Sequence, residues 1–311
     1  MVLALAFRHG ATSSPLIPGF DPETCISNAQ AAAGHMVPGK RDLLHLQVQL
    51  GLIILHLGMP HPERAAVSRL VAGAVKLAHE LGLHQSRTNA LFDSDTALLR
   101  VRVFWIVYIV DRDISIRTGS PPLQREDDHD IDIPSSAQGG AGLVRFWTAS
   151  GAPVELDVFA TWIRLAQVQG AIYDRLYSVR AEAQPPDVRQ RRAAQVRGLL
   201  HGWLAAIPEE LQADQLAGAL PKPAMAQLLV MHFSYLACIL HTHRVGSHNA
   251  EWVGRLVDYS QRIVGSKEYG PGEALSPYLA PSSGWFEVVG AARECARLFR
   301  LVHREDSRLS W

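Results

Sequence analysis

Residues 94–118 read SDTALLRVRVFWIVYIVDRDISIRT. Leu98, Val101, Phe104, Trp105, Val107 and Tyr108 place apolar groups on nearly every side of a 3.6-residue period, which predicts a central, buried helix. Ser94 or Asp95 can cap its first amides, and the pattern ends near Ile116. Asp111 and Arg112 arrive at the end of this apolar stretch, where partly buried charges need partners. They are expected to satisfy loop amides and the carboxylates of the Asp130-Ile131-Asp132-Ile133-Pro134 tail across the turn.

Working outward, helical periodicity dominates and strand-like alternation is almost absent. A helix follows His61, with Pro62 in its first turn. Ala66, Leu70, Ala74, Leu77, Ala78 and Leu81 recur at three- and four-residue steps, and Gly82 supplies a stop. HQSRTNALFD (84–93) reads as a loop, and GSPPLQREDDHDIDIPSSAQGGAG (119–142) is too rich in Gly, Pro and Asp to be regular. Further apolar-periodic segments cover 43–58, 157–179, 188–206, 224–243, 250–265 and 286–303. The expected fold class is all-α, an irregular array of about eight helices with long loops.

Composition narrows the function classes. Of 311 residues, 48% are hydrophobic and 19% charged, enough apolar material for a sizeable core. Thirty basic residues balance thirty acidic ones, so no global field draws in phosphate backbones or anionic lipid, and direct nucleic-acid contact is not expected from this segment. Cys25, Cys238 and Cys295 have no short spacing, so neither a disulfide framework nor a cysteine zinc site is readable, and a reducing compartment is the default. The start, MVLALAFRHGATSS, lacks a basic region and a cleavage site, so it does not read as a signal peptide. No run approaches the roughly 20 apolar residues of a membrane span.

Several short motifs imitate catalytic or metal signatures. Arg8-His9-Gly10-Ala11-Thr12 has the look of a histidine-phosphatase strand end, but no alternating α/β pattern follows, so it reads as the end of an amphipathic helix. Gly34-His35-Met36-Val37-Pro38-Gly39-Lys40-Arg41 has Walker A spacing with arginine where a magnesium-binding hydroxyl is required, and reads as a loop. His79 and His84 are one residue too far apart for a zinc-protease pair. Five helical steps turn them about 140° away from each other, leaving a helix-end histidine pair. Asp127-Asp128-His129-Asp130-Ile131-Asp132 lacks the calcium-loop glycine and glutamate and reads as a solvated acidic turn. His241 and His243, with His248, point apart at their i, i+2 spacing. No catalytic residue, resident cofactor or metal ligand is assigned.

The ordered series from His61 to Pro134 is similar to the middle homology region of the fungal zinc binuclear cluster transcription factors. In that family a helix ending A-x-x-L-G-L-H precedes a helix carrying R-x-x-F/W-W-x-x-Y-x-x-D-R, then a G-R-P loop and a D-I-D-x-x-x-P tail. Here Ala78, Leu81, Gly82, Leu83 and His84 fill the first pattern. Arg100 or Arg102, Phe104, Trp105, Tyr108, Asp111 and Arg112 fill the second, and Gly119, Pro121, Asp130, Ile131, Asp132 and Pro134 complete the series. Weaker likeness continues through 165–177, 200–211 and 228–244. Ser120 stands where the family has the loop arginine. The six-cysteine zinc cluster that reads DNA in the family is not among these residues, so zinc and DNA contact attach to the family alone. The resemblance implies one regulatory domain over 1–311, with its core at 43–265 and a C-terminal helical extension at 266–311, located in the nucleus.

Three functions compete. The first is the effector-sensing or inhibitory region of a regulator of RNA polymerase II genes, with a small-molecule effector, a homo- or hetero-dimer partner or a transcriptional co-regulator, and no membrane contact. The second is a standalone helical protein of secondary metabolism that binds a small molecule or catalyses a cofactor-independent step; converging polar groups such as His232, Tyr235 and His241 on one helix would favour it. The third is a paralogue that titrates full-length regulators through protein contacts.

Overall fold

Helix formation follows the apolar periods closely. In the computed structural model, which describes residues 42–57, 64–134, 142–216, 220, 222–247 and 285–301 together with positions 28 and 31, nine α-helices surround two cores. They are α1 (Leu43–Leu57), α2 (Arg64–Glu80), α3 (Ser86–Asn89), α4 (Ser94–Thr118), α5 (Val158–Ile172), α6 (Val179–Glu182), α7 (Pro186–Ala205), α8 (Lys222–Ser247) and α9 (Trp285–Phe299). The motifs at 8–12 and 34–41, Cys25, Pro62, His248 and the segments 250–265 and 266–284 lie outside the described residues. Among the described residues no helix is long and apolar enough to cross a membrane.

The 94–118 stretch is the buried helix its pattern requires: Arg100, Phe104, Trp105, Tyr108, Asp111 and Arg112 are all buried, on several faces of α4. Its cap is Asp93 rather than Ser94 or Asp95. The Asp93 carboxylate accepts from Thr96 N at 3.0 Å, the reach of an N-cap side chain to the third helical amide. Gly119 ends the helix with φ +72°.

The first core joins α1, α2 and α4 to Ile163 and Ala166 of α5, and the second joins Leu165, Val168 and Ile172 of α5 to α7, α8 and α9. Three- and four-residue spacing puts these two sets on different faces, so α5 is the wall shared by both cores.

Three elements depart from the periodic reading. Leu143–Trp147 and Pro153–Asp157 form an antiparallel hairpin, β1 and β2, with Phe146 opposite Val154 and Val144 opposite Leu156. Phe146 and Leu156 are its buried residues; each strand has too few inward side chains for alternation to register in sequence. HQSRTNALFD is not wholly a loop, because α3 occupies its middle. The helix expected over 157–179 switches at Ile172 to a π-helical turn, Tyr173–Tyr177.

The end of α2 explains the Ala78-x-x-Leu81-Gly82-Leu83 pattern. Gly82 N donates to His79 O at 2.9 Å and Leu83 N to Ala78 O at 3.0 Å, the paired bonds of a Schellman stop. Gly82 has φ +68°, and a Cβ there would come within 2.7 Å of Thr88 Cγ2. Leu83, fully buried, then plugs the first core. Gly82→Ala is therefore expected to lower stability by about 1–3 kcal/mol in urea melts. A loss under a few tenths would show that the turn accommodates a side chain.

Candidate functional site

A buried polar knot lies under the loop that follows α4. The Asp111 carboxylate, 3% exposed, accepts from Leu123 N and Gln124 N, each at 3.0 Å. Burial pushes its carboxyl pKa up and these two amides pull it back, with the net direction upward. Arg112, 1% exposed, stacks over the Tyr108 ring at 4.6 Å and donates to Glu126 at 3.0 Å. Tyr108 OH donates to the same Glu126 oxygen. The loop amides are thus the partners expected of Asp111. Arg112, however, pairs with Glu126 rather than with the 130–134 carboxylates, because the loop places the 3-10 turn Glu126–Asp128 over the helix. Burial alone would raise the Glu126 carboxyl, but His129 Nε2 at 3.5 Å, the Tyr108 hydrogen bond and the Arg112 charge hold it at about 2.

The tail serves through its backbone and its caps. Trp105 Nε1 donates to Asp132 O at 3.0 Å, Asp130 Oδ1 accepts from Ser86 N at 2.7 Å, and Asp130 N donates to His84 O at 3.2 Å. Ile131 and Pro134 are buried. Of the two candidate arginines, Arg100 is the buried one: it donates to Asn89 Oδ1 at 2.8 Å and to Leu81 O at 2.6 Å. Beyond Gly119 the turn carrying Pro121 is held by Ser115 Oγ donating to Ser120 O at 2.6 Å, so the exposed serine that replaces the loop arginine contributes through its backbone.

The expected separation of His79 and His84 is corrected. The Schellman turn folds the chain back, and the rings stack with centroids 4.2 Å apart and planes 11° from parallel. His79 meets Gln124 Oε1 at 2.5 Å, joining this pair to the knot. His129 sits among Phe104, Trp105 and Tyr108, with ring centroids 5.2–5.8 Å away. Asp127 and Asp128 are exposed beside a shallow open depression, and among the described residues no cluster of three or more His, Cys, Asp or Glu is arranged to hold a metal.

His232, Tyr235 and His241 do not converge. His232 and Tyr235 lie in the second core, where Tyr235 stacks on Trp203 at 5.0 Å and His232 Nε2 donates to Leu211 O at 2.8 Å. Burial lowers the His232 pKa. His241 belongs elsewhere. It borders a cavity of about 460 Å³ at the C-terminal end of α4, a size typical of small-molecule sites.

That cavity is assembled from four parts of the chain. Ile116, Ile172 and Leu176 give it an apolar wall; Tyr173 and Tyr177 come from the π turn; Arg117, Arg189 and Arg244 enter from α4, α7 and α8. Tyr177 OH donates to His241 O at 2.6 Å, tying the π turn to α8. Arg117 pairs with Asp113 at 2.6 Å, a carboxyl 5% exposed whose pKa is raised by burial. Sequence reading missed these residues, which span 116–244 without a local motif; the closest signals were the Tyr173/Tyr177 pair and Arg117 at the close of the buried helix.

The family model described as "Fungal specific transcription factor domain" matches residues 5–213. The chain is 29% identical, over its full length, to the "ABC-transporter-regulating transcription factor" of Aspergillus oryzae, and 28% identical to the protein of the same name in Aspergillus fumigatus. It covers 34% of each, so it spans about a third of those relatives' length. It is also 28% identical over 81% of its length to the "Fusaridione A cluster transcription factor fsdR" of Fusarium heterosporum, covering 46% of that protein. No solved structure matches.

The knot makes two measurable demands. Gly170 of α5 lets the guanidinium pass, since a Cβ there would lie 2.9 Å from Arg112 Nε. Gly170→Ala should cost about 1–3 kcal/mol by overpacking, while Gly198→Ala, where a Cβ meets nothing within 4 Å, should be neutral or stabilising by urea melts. Glu126 is depressed below its ordinary 4.5 to about 2, so its ionic contribution is complete above the unfolded value and is lost as pH falls through the folded one. The stability gap between wild type and Glu126→Gln should therefore close as pH drops from 4.5 to about 2. A gap that widens on acidification would contradict the pairing.

Proposed function

The chain belongs to the fungal specific transcription factor domain family, and from that premise we propose that it is the effector-responsive regulatory region of a fungal transcriptional regulator, with the cavity at the end of α4 as the effector's seat. The observation that carries this reading is the cavity's composite construction. Its walls come from α4, the π turn, α7 and α8, so a ligand there bears on several helices at once and can shift the balance between their arrangements. Arg117 on its rim and the buried Asp111 and Arg112 belong to one helix, which gives occupancy a direct route to the knot.

The role is regulatory and not catalytic on this reading, supported by the family and by the packing of His232 and Tyr235 into a core. Residues 1–311 act as one unit within a longer regulator, in the nucleus, and DNA recognition belongs to another part of that regulator. The names of the two Aspergillus relatives suggest ABC-transporter genes as the first targets to test.

Fused to a heterologous DNA-binding domain, the 311-residue chain should change transcription of a matched reporter at least about fivefold, the scale of a modest regulatory coupling. Ile116→Trp, which fills the cavity, should alter that output without altering the melting temperature. Output equal to that of the DNA-binding domain alone would refute the regulatory reading. An Ile116→Trp fusion indistinguishable from wild type would refute the cavity as the effector's seat.

A further inference from the structure

We infer that the cavity at the end of α4 takes a neutral, ring-sized apolar molecule carrying a carbonyl oxygen, with Arg189 Nε as the donor that holds that oxygen. This rests on the reading of that cavity as a ligand seat and adds the chemistry of the ligand. The charges around the cavity are met from within the chain. Arg117 pairs with Asp113 at 2.6 Å, Arg244 has a partner of its own, and Arg189 faces Glu182, the one carboxylate among the lining residues. Burial, and then the Arg244 charge, lower the His241 pKa, so a further cation on that wall is disfavoured. A fully charged ligand would give up its water for a site that holds no opposite charge in excess.

The hydroxyl groups of the lining are spent in the same way. Ser115 Oγ donates to Ser120 O at 2.6 Å, Thr118 Oγ1 to Ile114 O at 2.8 Å and Tyr177 OH to His241 O at 2.6 Å. Arg189 Nε is left over. It is buried and has no hydrogen-bond acceptor among the described residues, and a buried donor is costly until something accepts from it. A carbonyl oxygen suits it, because it accepts through a lone pair and, unlike a hydroxyl, brings no hydrogen that needs an acceptor in turn.

The rest of the ligand is set by the apolar surface. Ile116, Ile172 and Leu176 form one wall, Tyr173 and Tyr177 add aromatic surface, and a volume of about 460 Å³ leaves room for fused rings. A water molecule alone would satisfy Arg189 Nε but leave that wall uncovered, and a pure hydrocarbon would cover the wall but leave the donor without an acceptor. A ring system bearing a carbonyl satisfies both.

The test uses the full chain and three fluorescent probes of one skeleton: 6-propionyl-2-dimethylaminonaphthalene, a ketone; 6-dimethylamino-2-naphthoate, a carboxylate; and 2-dimethylaminonaphthalene, which lacks the acyl oxygen. The ketone should bind at least about tenfold tighter than either of the others, the affinity of one hydrogen bond to a charged donor, and raised salt should leave that order unchanged. Arg189→Met should bring the ketone within about threefold of the parent amine. Glu182→Gln, which removes the carboxylate facing Arg189, should instead strengthen binding of the carboxylate probe at least about fivefold. Circular dichroism melts of each variant verify that the fold persists. If the carboxylate binds wild type as tightly as the ketone, or gains nothing from Glu182→Gln, the neutral class is overturned while the cavity stands. If ketone and parent amine bind equally, or the ketone keeps its preference in Arg189→Met, the carbonyl contact is overturned. If no probe binds, or binding survives Ile116→Trp, the cavity itself fails as a ligand seat.

Discussion

Burying the Asp111 carboxylate is the constraint on which the surrounding architecture depends. A carboxylate removed from water must be matched by donors, and Leu123 N and Gln124 N are the donors that α4 finds. Meeting that demand sets where the chain runs after Gly119. Once Leu123 and Gln124 are pinned, the next residues bring Glu126 over Arg112 and Tyr108, Gln124 to His79, and the 130–134 tail back to Trp105 and Ser86. A long loop whose regular structure is a single 3-10 turn is thereby made as specific as a helix packed against a helix.

The same logic explains why α5 carries a glycine at position 170. Arg112 lies between α4 and α5 with Nε and Nη1 lacking hydrogen-bond acceptors among the described residues, so it is held by Glu126, by the Tyr108 ring and by close packing rather than by a full set of bonds. Breaking such an arrangement from one side leaves a charge stranded, which ties the pair to the stability of the fold. The reactive-looking groups elsewhere are similarly absorbed. His232 and Tyr235 give their polar atoms and rings to the second core, and Cys238 is buried with its thiol pKa pushed up.

One turn beyond the knot, the close of α4 borders a cavity. Arg117, Arg189 and Arg244 meet across a cavity at a π turn, an irregularity often found at functional sites. The knot is buried against the first core, while the cavity is open and drawn from separate helices. Their connection through one helix is what makes a regulatory role physically intelligible.

Much of this was legible in the linear chain because it is local. Apolar side chains on every side of α4 require burial whatever the partners, and Gly82 after Leu81 signals a helix stop because of the backbone conformation it permits. The order of the 61–134 motifs likewise pointed to the family. The hairpin escaped because each strand turns so few side chains inward, and the stacking of His79 on His84 because helical phase no longer applies across a left-handed turn. The partner of Arg112 and the arginines of the cavity were decided by tertiary structure alone. Charge pairing depends on distance in space, and no residue's neighbours in sequence record which helix end will fold beside it.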